Sequence, residues 1–114
     1  MFETLTKEEE FDSFLRSNQD KLVLVKFFTT WCLPCQELQK NLEKLVTEKG
    51  KPDLVVLAVD AERFPQLKYQ DQAQKVQQLV VRSVPTLFFF RKGKMLKKEV
   101  GNMSVQRLKE SINV

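Results

Sequence analysis

Apolar residues in the middle of the chain follow two patterns that predict strands and a helix. Residues 22–28 read Leu-Val-Leu-Val-Lys-Phe-Phe, a β-branched and aromatic stretch of strand length with Lys26 as its polar position. A run of almost continuous apolar residues over 53–59 predicts another strand, buried on both faces. Between them, apolar residues recur at the spacing of one helical face and predict a helix ending near Gly50. They are Leu38, Leu42, Leu45 and Val46.

Shorter patterns predict elements near the N-terminus and in the second half. Residues 2–5 are read as a short strand, and Thr6 with Glu9 resembles a capping box before a helix. The stretch from about Pro65 to Val81 is rich in glutamine and lysine but has an amphipathic face, which predicts another helix. The apolar stripes of these two helices are Phe11, Phe14 and Leu15, and then Ala73, Val76, Leu79 and Val80.

The C-terminal part predicts a hairpin and a last helix. Strands over 86–90 and 95–100 are joined by Lys92-Gly93-Lys94. Ser104 can cap a helix that carries Val105, Leu108 and Ile112. Together these elements predict an α/β fold in which helices flank both faces of a central mixed β-sheet, in a single domain of residues 1–114.

Composition is that of an ordinary globular domain, with 114 residues, 42% of them hydrophobic and 30% charged. No apolar stretch approaches the length of a membrane helix, so we expect no membrane partner. The first ten residues lack the basic and apolar regions of a secretory signal. If Met1 is the native start, we therefore expect a cytoplasmic protein, in a compartment where a cysteine pair is more plausibly catalytic than permanently oxidised.

The formal net charge is +4, and basic residues concentrate at the predicted hairpin: Arg91, Lys92, Lys94, Lys97 and Lys98. Such a cluster could attract nucleic acid or an acidic partner. It could equally be a solvated hairpin whose lysines discourage pairing with other strands. No aromatic residues are interleaved with the charges as single-strand binding would require, so we favour the structural interpretation and expect no nucleic-acid partner.

The two cysteines of the chain, Cys32 and Cys35, lie within Trp-Cys-Leu-Pro-Cys, between the first long strand and the helix that follows it. Unpaired backbone N–H groups and the positive end of the helix dipole favour a thiolate at such a junction. A zinc site within one chain is nearly excluded, because zinc takes four ligands and the chain has no histidine and no third cysteine. Two chains could pool their cysteines around zinc or an iron–sulfur cluster. A purely structural disulfide would remove little unfolded-state entropy, so redox chemistry is the favoured hypothesis.

Four local motifs, in this order and spacing, resemble the thioredoxin family along nearly the whole chain. Residues 24–35, ending in the cysteine pair, are similar to the strand and active-site turn of that family. Val59-Asp60 is similar to the end of its middle strand, and Val84-Pro85-Thr86 to its cis-proline segment. The last match is Lys92-Gly93-Lys94 followed by Gly101. The resemblance implies a thioredoxin fold.

The resemblance also implies roles for individual residues. Cys32 would be the exposed nucleophile that forms a mixed disulfide, and Cys35, one turn deeper, would resolve it. Trp31 would shape the rim of the site rather than serve only in the core, and Pro34 would fix the first turn of the helix. A cis Pro85, rather than an ordinary trans proline, would bring the backbone of Val84 next to the sulfurs, where an extended substrate could pair with it.

Lys26 is a departure from the family, which usually has a buried aspartate there that is thought to relay a proton to the second thiol. Burial could depress the pKa of Lys26 enough for it to act as a base. Alternatively, a cationic Lys26 would favour thiolates and make the pair more oxidising. The structural alternative is that Lys26 reaches solvent or pairs with Asp60 or Glu62.

Two further departures concern substrate choice. Leu33 replaces the glycine typical of the family and adds an apolar surface beside the nucleophile. The segment between Asp60 and Pro85 is longer than usual and contains the glutamine-rich stretch 70–78. A longer helix on the active-site side could contact a dedicated partner, or could be a solvated elongation without a role.

The sequence therefore predicts a thiol–disulfide oxidoreductase that reduces protein disulfides through a Cys32/Cys35 exchange cycle, with no bound cofactor and no metal. The resemblance implies a flavoprotein reductase as electron donor. The alternatives are a thioredoxin-fold binding adaptor and a redox-sensing switch. The oligomeric state is not predicted.

Overall fold

The computed structural model describes residues 2–49 and 53–113, and a five-stranded mixed sheet forms their centre. The sheet order is β1-β3-β2-β6-β7, in which β2 pairs in parallel with β3 and antiparallel with β6. The elements are β1 (Phe2–Thr4), α1 (Glu10–Ser17), β2 (Leu22–Phe28), α2 (Leu33–Lys49), β3 (Leu54–Asp60), β4 (Lys68–Gln70), β5 (Val76–Gln78), β6 (Thr86–Arg91), β7 (Lys94–Val100) and α3 (Val105–Ser111). This confirms the predicted mixed sheet and its five strands. Gly50, the predicted end of the second helix, lies outside the described residues.

The sheet separates two apolar cores because side chains of β2 alternate between its faces. Val23, Val25 and Phe27 face α1, and Leu22 and Leu24 face α2 and α3. On the first face, aromatic rings meet edge to face, with the Tyr69 and Phe90 centroids 5.0 Å apart. Helices on both faces are therefore confirmed. Burial of these side chains is the main source of stability that holds β2, and with it the cysteine turn, in place.

The predicted helix over residues 65–81 is wrong, because the structure has the antiparallel pair β4 and β5 there. Leu67 and Tyr69 alternate with exposed residues and are buried in the core beside α1, as is Leu79. The Asp71 carboxylate accepts the backbone N–H groups of Ala73 and Lys75, each at 2.9 Å, and so closes the turn. Of the residues that suggested a helical face, Leu79 is buried in the core, whereas Ala73 and Val76 are exposed on the hairpin.

The hairpin tip lies at the opposite end of the sheet from the cysteine pair. The Gln72 side chain donates to the Lys92 carbonyl oxygen at 2.9 Å. Lys92 follows β6, and β6 ends opposite Leu22, the first residue of β2. The cysteines follow the other end of β2. The expectation of a glutamine-rich helix on the active-site side is therefore wrong in both shape and place.

Predictions at the helix ends had mixed outcomes. The capping box is wrong, because α1 begins at Glu10 and Glu9, its N-cap residue, makes no side-chain capping bond. Thr6 Oγ1 instead donates to Glu10 Oε1 at 3.1 Å. The Ser104 cap of α3 is confirmed, since its Oγ accepts the Arg107 backbone N–H at 3.1 Å.

Candidate active site

A disulfide joins Cys32 and Cys35 where β2 passes into α2, and their Cα atoms are 5.3 Å apart. The Cys32 backbone N–H donates to the Thr29 carbonyl oxygen at 3.3 Å, which closes the turn before the helix. Cys35 lies in the first turn of α2, and its backbone N–H donates to Cys32 Sγ at 3.2 Å. The predicted strand-to-helix placement is confirmed. In the reduced protein, the same N–H group and the helix dipole would stabilise a thiolate at Cys32.

Cys32 lines an apolar groove of about 670 Å³. Trp31 and Leu33 form part of its wall and are each 69% exposed, so the alternative that Trp31 is only a core residue is wrong. Cys32 itself is 5% exposed in the disulfide form, so the expectation of an exposed nucleophile is wrong for this state. The other lining residues are Pro34, Ala61, Val81, Arg82, Ser83 and Val84.

The segment before β6 closes one side of this groove. The Val84–Pro85 peptide bond is cis, as expected, and Pro85 is buried. The Val84 carbonyl oxygen lies 3.8 Å from Cys32 Sγ, so the backbone of Val84 is next to the sulfur, also as expected. The structure thus brings together Trp31, Cys32, Leu33 and Val84 at one surface.

Cys35 faces a second cleft, of about 550 Å³, on the α2 side of the sheet. This cleft is also lined by Lys26, which is 5% exposed and therefore does not reach solvent as one alternative expected. The Lys26 Nζ donates to Gln39 Oε1 and lies 5.5 Å from the centre of the Phe28 ring. Pairing with Asp60 or Glu62, the other part of that alternative, is replaced by this contact with Gln39.

Burial lowers the pKa of Lys26 below its usual value, and the negative charge of Glu43 partly offsets that effect. Desolvation disfavours the ammonium because the residues paired with Lys26 in the neighbouring strands, Ala58 and Leu87, have no polar side-chain group. Lys26 and Cys35 are both buried and line the same cleft, although most of its other lining residues are polar. Because both side chains are buried, a charge on one would interact with a charge on the other more strongly than in water.

Gln39 and Glu43 are site residues that sequence reasoning missed. Gln39 Nε2 donates to Glu43 Oε2 at 3.0 Å, and both side chains line the cleft with Cys35. The spacing of Cys35, Gln39 and Glu43 is four residues, which places them on one face of α2. A buried lysine in an apolar strand requires a polar partner. The sequence therefore held a signal for these residues: Lys26 needs a polar partner, and Gln39 and Glu43 lie on the same helical face as Cys35.

Within residues 2–49 and 53–113, no three or more histidine, cysteine, aspartate or glutamate side chains lie together in a way that could hold a metal ion. Among the helices in those ranges, none combines the length and apolar character needed to cross a membrane.

Comparison with known proteins identifies the family of the chain. The family model described as Thioredoxin matches residues 2–114. Thioredoxin Y2, chloroplastic, of Arabidopsis thaliana is 36% identical over 116 residues, which cover 95% of this chain and 63% of the relative. Thioredoxin-2 of Saccharomyces cerevisiae is 38% identical over 101 residues, which cover 89% of this chain and 86% of the relative.

Solved structures agree on the fold. The thioredoxin of Fasciola hepatica superposes with a TM-score of 0.71 at 23% identity, over 96% of this chain and 95% of that one. The germline-specific thioredoxin Deadhead of Drosophila gives a TM-score of 0.72 at 26% identity, over 96% and 94%. With the family match, the relatives and the disulfide geometry together, the chain belongs to the thioredoxin family and is a thioredoxin-type thiol–disulfide oxidoreductase, with Cys32–Cys35 as its CXXC active-site disulfide.

Proposed function

We propose that the chain, as a single domain of residues 1–114, reduces disulfides of protein substrates, with Cys32 as nucleophile and Cys35 as resolving thiol. The observation that carries this proposal is that Cys32 lines the apolar groove, with its Sγ 3.8 Å from the Val84 carbonyl oxygen. An extended peptide lying in the groove would pair with the backbone of Val84 and present its disulfide to Cys32. Trp31, Leu33 and Pro85 would shape that contact.

The exchange cycle moves two electrons from the cysteine pair to the substrate. The Cys32 thiolate attacks one substrate sulfur, the substrate S–S bond breaks, and the first substrate thiolate leaves and takes a proton from water. Cys35 then loses its proton, and its thiolate attacks Cys32 Sγ. The mixed disulfide breaks, the second substrate thiolate leaves, and the Cys32–Cys35 bond forms. The disulfide in the structure corresponds to the end of this cycle.

Lys26 is proposed to tune the pair. A cationic Lys26 in the cleft beside Cys35 would stabilise the dithiol state in its thiolate form and make the pair more oxidising. Its burial and its position in the same cleft as Cys35 support this role.

The electron donor proposed here follows from the family. A flavoprotein reductase would return electrons to the disulfide, and no bound cofactor would be needed because the two sulfurs carry both electrons. We propose that the protein acts in the cytoplasm. The name of one Arabidopsis relative places that protein in the chloroplast.

Trapping tests the proposed roles. Cys35→Ser should accumulate mixed disulfides through Cys32, and Cys32→Ser should abolish turnover of a protein disulfide in the presence of a dithiol reductant. If wild type has no disulfide reductase activity and a copurifying partner is retained by the Cys32→Ser, Cys35→Ser double variant, the protein is an adaptor. A redox switch would instead show different partner affinities for the reduced and oxidised protein.

A further inference from the structure

Polar side chains of β2 and α2 form a chain that starts at the buried Lys26 and ends at the surface. Gln39 turns its carbonyl oxygen to the Lys26 ammonium and its amide N–H group to the Glu43 carboxylate. This orientation places a negative partial charge next to the cation and a positive one next to the anion. Glu43 is exposed, whereas Gln39 is partly buried and Lys26 is buried. The amide is therefore held by a charge at each end.

Few other charges face Lys26. Its neighbours across β3 and β6 are Ala58 and Leu87, which carry no charge. The charged side chains that line the cleft with it are Glu43 and Lys40, both from α2. An ammonium has three N–H donors, and Gln39 accepts one. The group is thus anchored on the α2 side and retains donors for the cleft that it shares with Cys35.

We propose that Gln39, oriented by Glu43, is a positioning residue that holds the Lys26 ammonium beside Cys35 and so stabilises the Cys35 thiolate that resolves the mixed disulfide. The inference rests on the proposed exchange cycle and names the residues that control its second step. Gln39 acts through Lys26 and does not touch the reacting sulfurs.

In this step, the Cys35 S–H group gives its proton to solvent water in the cleft, and Lys26 keeps its own proton throughout. The Cys35 thiolate attacks Cys32 Sγ. A Cys32–Cys35 bond forms, the bond between Cys32 and the substrate sulfur breaks, and the substrate leaves as a thiolate. The ammonium lowers the free energy of the attacking thiolate because a nearby positive charge favours the charged form of a thiol.

The test measures the ionisation of Cys35 without requiring turnover. In Cys32→Ser protein, Cys35 is the remaining thiol, and its rate of alkylation by iodoacetamide follows its thiolate fraction. Gln39→Leu should reduce that rate about tenfold near neutral pH and move the midpoint of the pH profile upward, since tenfold corresponds to about one pKa unit. Gln39→Asn, which is too short to span both partners, should act in the same direction.

Gln36→Leu provides a matched control. Gln36 has the same side chain, lies on α2 and lines the same cleft, but it makes no hydrogen bond to Lys26. We expect its alkylation profile to match that of the Cys32→Ser parent. Circular dichroism of each variant checks that α2 is intact.

A double-variant comparison decides whether Gln39 acts through Lys26. In a Lys26→Met background, Gln39→Leu should leave the alkylation profile unchanged. An unchanged profile for Gln39→Leu in the Lys26 background, or an equal effect in both backgrounds, overturns the proposal. Loss of trapping in Cys35→Ser would instead count against the exchange cycle, so the two failures are distinguishable.

Discussion

Replacing the buried lysine with methionine should stabilise the protein. Lys26→Met keeps an unbranched side chain, one heavy atom shorter, but removes the ammonium of a residue that is 5% exposed and has a neutral amide as its direct partner. Desolvation of such a charge costs several kcal/mol. The charge-assisted hydrogen bond to Gln39 offsets about 2 kcal/mol of that cost, and the contact with the Phe28 ring offsets about 0.5–1 kcal/mol. We therefore expect a net stabilisation of about 1–2 kcal/mol, in line with other buried charges replaced by apolar residues.

The pH dependence of this difference follows from the lowered pKa of Lys26. Below its folded-state pKa the lysine is charged in both states, and the full cost of burying the charge is present. As the pH rises from that value to the unfolded value of about 10.5, the folded protein loses its proton first, and stability rises relative to Lys26→Met. The advantage of the variant should therefore shrink at alkaline pH. Tyr69, whose pKa is raised by burial, titrates in both proteins and cancels in the difference.

Urea unfolding of both oxidised proteins, at neutral pH and then in alkaline steps, measures this difference. Equal slopes with urea concentration would show that the two proteins expose similar surface on unfolding. If Lys26→Met were no more stable than wild type, and the difference did not change with pH, the ammonium would be well solvated or well paired. The reasoning about its burial would then be refuted.

Other substitutions test separate parts of the structure. Lys26→Asp should lower the reduction potential in glutathione buffers by about 30 mV or more, a tenfold change in the exchange equilibrium, and an unchanged potential would mean that the ammonium does not act on the thiols. Thr29→Val should raise stability by about 1 kcal/mol in thermal unfolding, since Thr29 Oγ1 is buried and has no hydrogen-bond partner among the described residues; a loss of stability would contradict this. Ser104→Ala should lose about 1 kcal/mol, whereas Ser104→Asp should retain the cap and the melting temperature. Leu79→Ala should lose about 2–5 kcal/mol in urea unfolding, whereas a loss near zero would mean that the hairpin contributes little to the core.

The strands and the redox pair were predictable because their signals are local. A run of β-branched and aromatic residues such as 22–28 has few alternatives to a buried strand, and Cys-x-x-Cys after it limits the chemistry. The hairpin at 68–78 was missed because its apolar residues also fit a helical spacing, and glutamine and lysine are compatible with a helix. The alternation of Leu67 and Tyr69, and the turn closed by Asp71, were the competing signals.

The partners of Lys26 could not be identified from a single local pattern. Its hydrogen bond to Gln39 spans 13 residues and depends on how α2 lies against β2. A polar face of a helix is usually exposed to solvent, so the sequence pattern predicts that Gln39 and Glu43 are surface residues. The packing of the helix over the strand turned part of that face inward and created the cleft.

Because the sheet divides the interior into two cores, mutations can alter one core while the other is preserved. The hairpin that replaces the expected helix packs with α1 on one face, and the cleft of Lys26 and Cys35 lies on the other. The buried apolar side chains of the two faces form separate clusters, so distant substitutions on opposite faces should have largely independent effects on stability. One face of the domain can therefore accumulate insertions or a different secondary structure while the electrostatic setting of the resolving thiol is preserved. Each face can vary under its own constraints.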